Sequence, residues 1–146
     1  MKMKIFTIGF TKKSAEEFFT RLRAAGVRRV VDVRLNNTSQ IAGFAQARDL
    51  KFFLASIAGI DYLHLPDLAP TQDILDDFIK AKGAWSEYTE RFMKLMETRQ
   101  VAEMLQGTLR DGDCLLCSED TPEHCHRRLV AEHLQQRWGD VEIVHL

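Results

Sequence analysis

The apolar positions of the chain switch repeatedly between the short run of a buried strand and the three-and-four spacing of a helix. Residues 4–8 form a β-rich run, Ile5-Phe6-Thr7-Ile8, closed by Gly9. Ser14 opens a helical pattern carrying Phe18, Phe19, Leu22 and Ala25, and Gly26 stops it. Residues 27–33 predict a second strand whose Val30-Val31 centre leads into Asp32-Val33-Arg34 and then the polar loop Asn36-Asn37-Thr38-Ser39-Gln40. A helix over residues 47–58, with Leu50, Phe53, Leu54 and Ile57 on one face, precedes a third strand over 60–65 that ends before Pro66.

Helical spacing recurs over residues 71–82, 86–97 and 101–109, the middle stretch carrying Tyr88, Phe92, Leu95 and Met96. The turn Arg110-Asp111-Gly112-Asp113 feeds Cys114-Leu115-Leu116-Cys117, a continuous apolar run of the kind that a parallel strand buried on both faces requires. Thr121 as N-cap with Pro122 at the first helical position predicts a last helix running to Trp138, with Gly139 past its end. Residues 141–144 supply a final strand. Strands alternating with helices specify an α/β class, a Rossmann-like three-layer sandwich with a mostly parallel sheet of about five strands. No repeat or linker interrupts it, so residues 1–146 are expected to form one domain.

Charge narrows the partners. Twenty basic against 21 acidic residues leave a net charge of -1, so no global field draws the protein to nucleic acid or an anionic membrane, and any anion must be bound locally. The apolar runs fall far short of the ~20 residues a membrane span needs. The N-terminus reads as a strand rather than a signal peptide, and three cysteines cannot all pair internally, which fits a reducing, cytoplasmic setting.

In open α/β sheets the ligand crevice lies beyond the carboxyl ends of the strands. Thr7 and Gly9, Asp32 and Arg34, His64 and Asp67, and Cys117, Ser118 and Glu119 all follow strands there. The densest chemistry is Cys117-Ser118-Glu119-Asp120-Thr121-Pro122-Glu123-His124-Cys125-His126-Arg127-Arg128. On the last helix His126 shares a row with Val130, Leu134 and Trp138, so it should point toward the strand ends, whereas Arg128 aligns with Glu132 and Gln136 toward water. Arg127 lies between these rows. The first turn of that helix, with Arg127 and Arg34, is a candidate cradle for phosphate or carboxylate, and its field would lower the pKa of Cys117 or Cys125.

Thr7-Ile8-Gly9, Asp32-Val33-Arg34, Cys117-Ser118-Glu119 and Cys125-His126-Arg127 resemble, in order and spacing, the signature blocks of the domain of unknown function 488 family. The resemblance covers nearly the whole chain and implies a compact Rossmann-like α/β domain, with no established reaction, substrate or cofactor. The stretch Leu65-Pro66-Asp67-Leu68-Ala69-Pro70 departs from the Gly-containing segment of many relatives.

Several chemistries remain open for the motif. Cys117 is a candidate nucleophile or acid/base thiol with His126 as its partner and Glu119 as an orienting carboxylate; alternatively it is a small residue packed beside a strand end. A phosphatase-type cysteine loop needs an arginine where Glu123 stands, and the arginine-rich loop of a rhodanese is absent. A four-ligand zinc set including Cys114 conflicts with strand geometry, because residues three apart point to opposite faces; Cys117, Cys125 and His126 are the most that a metal could use. The same divergence argues against a Cys114–Cys117 disulfide. Asp32, Arg34 and Glu119 orient a ligand or neutralise one another. The leading expectation is an enzyme for an anionic or nucleotide-like metabolite, with Cys117, His126 and Glu119 catalytic and Thr7, Gly9, Asp32, Arg34, Ser118, Cys125 and Arg127 binding the ligand. No cofactor or resident metal is expected. The rivals are a non-catalytic nucleotide- or protein-binding module and a structural metal clasp. His124 and His133 are expected to be partly exposed.

Overall fold

The computed structural model describes residues 2–37 and 43–146. The expected loop residues Thr38, Ser39 and Gln40 lie outside the described residues. The chain forms β1 (Met3–Gly9), α1 (Ala15–Ala25), β2 (Arg29–Asp32), α2 (Ala47–Phe53), β3 (Asp61–His64), α3 (Gln72–Ile79), α4 (Trp85–Thr98), α5 (Val101–Met104), β4 (Asp113–Cys117), α6 (His126–Trp138) and β5 (Val141–His145). The five strands are all parallel, in the order β3-β2-β4-β1-β5. The fold is therefore the Rossmann-like α/β sandwich that the alternating pattern specifies.

Local chemistry sets the first helix as read. The Ser14 side chain accepts from the Glu17 amide at 3.1 Å, and Gly26 ends α1 in the left-handed region at φ 77. Two later helices differ from expectation. The stretch after α2 widens into a π-helical turn over Leu54–Ala58, and α5 closes at Met104.

The largest correction concerns α6, which starts at His126 with Cys125 as its N-cap, so Thr121 and Pro122 belong to the preceding loop. That loop is held by two partners distant in sequence, Thr11 and Lys13, and by Arg127 just after it. Thr11 donates its hydroxyl and amide to the Ser118 carbonyl, Lys13 pairs with the Asp120 carboxylate at 2.7 Å, and Arg127 donates to the Glu119 carbonyl at 2.7 Å. These contacts satisfy the loop's polar groups without helix, and they outweigh a local capping preference of about 1 kcal/mol.

Side chains alternate across the sheet into two cores. On one face Phe6, Ile8, Val30, Cys114 and Leu116 meet α1, α2 and the π-helical turn after it through Phe18, Leu22, Leu50 and Leu54. On the other, Ile5, Val31, Leu115 and Cys117 meet the later helices through Ile74, Phe92, Val101 and Leu134. Cys114 and Cys117 thus diverge to opposite faces, as strand geometry requires. The connection leaving β4 turns to one face, while those leaving its neighbours β1 and β2 turn to the other, and this parting opens a crevice at the carboxyl end of β4. No helix among the described residues is long and apolar enough to cross a membrane.

Candidate functional site

β4 delivers Cys117 to the crevice, and α6 returns Cys125 and His126 to it. The ring of His126 is buried in the row with Val130 and Leu134. Its Nε2 lies 2.6 Å from the Val33 carbonyl, which can only accept, so the hydrogen-bond network assigns the proton to Nε2. Nδ1 then turns its lone pair to the Cys117 Sγ at 3.4 Å, and the Phe92 ring packs edge-on against the imidazole.

Cys117 is almost fully buried. Burial opposes ionisation of its thiol; the hydrogen bond from Cys125, the amides of Ser118 and Glu119 and the charge of Arg127 act the other way, and the result lies below the ordinary thiol value. Cys125 is pushed well above that value, first by burial and then by its neighbour Cys117. Cys114, on the far face, is raised by burial. One thiol of the three is set up to ionise.

A cavity of about 300 Å³ opens beside these sulfurs, lined among the described residues by the two cysteines, His126, Arg34, Ser118 and Glu119, and closed by an apolar wall from α3 and α4. That wall consists of Leu75, Phe78, Ile79 and Tyr88. Burial, followed by the charges of Cys117, Cys125 and Glu119, raises the Tyr88 phenol and keeps it protonated. His124, which is exposed, sits at the rim with its ring 5.0 Å from that of Trp85. His133, by contrast, is buried, contrary to expectation. Periodicity marked Tyr88 and Phe92 as core and missed the wall; its available signal was the spacing of Leu75, Phe78 and Ile79 with Ile79 left exposed.

Arg34 borders the cavity and is itself buried. Its Nε and Nη2 donate to the Asp32 carboxylate at 2.8 and 2.7 Å, and Nη2 also reaches the Ala45 carbonyl. Tyr62, another residue sequence reasoning missed, donates to Asp32 at 2.6 Å, and His64 Nε2 donates to the Arg34 carbonyl at 2.9 Å. The remaining nitrogen, Nη1, is buried without a hydrogen-bond partner among the described residues. A buried donor left unmade costs about 1–3 kcal/mol, which a ligand oxygen would recover.

Arg127, Thr7 and Gly9, expected to bind the ligand, do not line the cavity and instead hold the loop after β4. Arg127 is fully buried and spends its guanidinium on the Glu119 and Asp120 carbonyls and the Thr7 hydroxyl. Thr7 also bonds His145 Nδ1. Gly9 lets the loop after β4 lie directly on β1, since a Cβ there would fall 1.5 Å from the Glu119 carbonyl oxygen. The Glu119 side chain itself is exposed and borders the cavity. The ligand atoms of Cys117, Cys125 and His126 all lie within 4.8 Å of one another, close enough to share a metal ion.

No significant match is found among curated proteins or solved structures. The chain does match the domain of unknown function DUF488 over residues 14–134, and it belongs to that family.

Proposed function

We propose that this protein is a cytoplasmic thiol enzyme acting on a small anionic or nucleotide-like metabolite, with Cys117 as nucleophile and His126 as its proton carrier. The observation that carries this reading is the Cys117–His126 contact on a cavity wall, with Nε2 pinned to Val33 so that Nδ1 faces the sulfur. His126 takes the thiol proton at Nδ1 and returns it to the leaving group. Arg34 Nη1 donates a hydrogen bond to the substrate's anionic oxygen, and Leu75, Phe78 and Tyr88 hold its apolar or ring portion. Glu119 orients the substrate from the rim. Arg127, Gly9 and Thr7 position the loop that carries the amides onto Cys117. Three free thiols fit a reducing compartment.

Iodoacetamide labelling of the folded protein at neutral pH, mapped by peptide mass spectrometry, tests the reading. Cys117 should label far faster than Cys114 and Cys125, inorganic phosphate should protect it, and Arg34→Gln should abolish the protection. Equal labelling of all three cysteines, only on unfolding, would sink the proposal. The three clustered ligand atoms favour a second reading, a metal held by Cys117, Cys125 and His126 with an open fourth position on the cavity. Stoichiometric zinc in protein purified without chelator, with Cys117 labelling only after its removal, would decide for that reading.

A further inference from the structure

The nucleophile reading leaves Cys125 unused, yet no thiol is better placed to act on Cys117. Its sulfur lies within 4.8 Å of that of Cys117. Both sulfurs border the same cavity, whereas Cys114 is on the opposite face of the sheet. Cys117 ends β4 and Cys125 stands immediately before α6 in an extended conformation, so the pair is joined by a loop rather than by a rigid element. A loop can absorb the small approach that an S–S bond requires.

We propose that Cys117 and Cys125 form a dithiol–disulfide couple that reduces organic hydroperoxides, Cys117 taking the oxygen and Cys125 resolving it. The inference rests on Cys117 being the reactive thiol. The Cys117 thiolate attacks the terminal peroxide oxygen, the O–O bond breaks, and the alkoxide leaves as an alcohol with the proton held at His126 Nδ1. Cys117 is now a sulfenic acid. The Cys125 sulfur attacks it, the S–S bond forms, and the sulfenic hydroxyl leaves as water with the Cys125 proton. One hydroperoxide is reduced by two electrons from the two thiols, and an external dithiol restores them. The cavity fits this substrate class. Arg34 Nη1 supplies a hydrogen bond to the departing oxygen, and Leu75, Phe78, Ile79 and Tyr88 face an alkyl or aryl group.

The test treats reduced wild-type protein with one equivalent of hydrogen peroxide or of cumene hydroperoxide, then alkylates it under denaturing conditions. Cleavage after Glu119 and Glu123 separates Cys117 from Cys125 unless a disulfide joins them. The expected product is one linked peptide pair with Cys114 alone alkylated, formed faster with cumene hydroperoxide and reversed by dithiothreitol. In Cys125→Ser, Cys117 should stall as a sulfenic acid trapped by a 1,3-diketone and then over-oxidise. Over-oxidised wild-type Cys117 beside a free Cys125 would overturn the couple, and reaction with hydrogen peroxide alone would overturn the organic substrate class. Should iodoacetamide label native Cys117 while no linked pair forms, the couple fails and the nucleophile reading stands; a Cys117 inert to both reagents sinks both.

Discussion

At the scale of single residues, the site depends on what is missing from Gly9 and on what Asp32 does for Arg34. A methyl group at position 9 would fall 1.5 Å from the Glu119 carbonyl oxygen, so Gly9→Ala must push the loop off β1. The expected cost is about 1–3 kcal/mol, read as a lower midpoint in urea denaturation. Because the displaced loop carries the Ser118 and Glu119 amides, the Cys117 thiol should also move back up toward the ordinary range. Wild-type alkylation therefore stays fast at pH values where an ordinary thiol is protonated, and the variant's pH–rate profile shifts to higher pH. An unshifted profile would show that the amides do not set the thiol. Asp32→Asn has a different signature. It leaves the buried Arg34 cation without its carboxylate, which costs about 3–5 kcal/mol. If the variant is folded under the assay conditions, phosphate should protect Cys117 more strongly, since the guanidinium charge is no longer offset.

The elements show what a sequence can and cannot reveal. Strand runs and helix rows were legible because their partners are local: Ser14 caps α1 three residues away, and His126, Val130 and Leu134 share a row by helical geometry alone. Thr121-Pro122 carries as good a start signal as Ser14, but α6 begins at His126 because Thr11, Lys13 and Arg127 hold the loop in another shape. The contacts of Thr11 and Lys13 each reach across 107 positions, and no local window of residues contains them. The same limit hid the role of Arg127, whose place between the helical rows left it pointing either way. Only the fold shows it buried against Thr7 and two loop carbonyls. Arg127→Met should keep the packing volume and lose the tether. The expected result is a marked rise in hydrogen exchange over residues 118–125 with little change in β1 or β4, and no local rise would mean that the loop is held by other contacts.

The sheet as a whole separates two cores, and only one of them touches the chemistry. Phe18 on α1 and Phe92 on α4 are both fully buried, one in each core, so shortening either ring to leucine should destabilise the protein to a similar extent, about 1–2 kcal/mol. With the two rings in separate cores on opposite faces of the sheet, the double variant should lose the sum of the two. Their effects on the site should nevertheless differ. The Phe92 ring packs edge-on against His126, whose Nε2 is fixed by Val33 and whose Nδ1 faces Cys117. Loosening that ring lets the imidazole turn, so Phe92→Leu should slow Cys117 alkylation while Phe18→Leu leaves it unchanged at a temperature where both variants are folded. Equal slowing in the two variants would mean that global stability controls access to the thiol, because a change that acts only through unfolding cannot distinguish the faces of the sheet. Unequal slowing would trace the reactivity of Cys117 to its own side of the molecule, where the connection after β4 parts from those of its neighbours and opens the cavity.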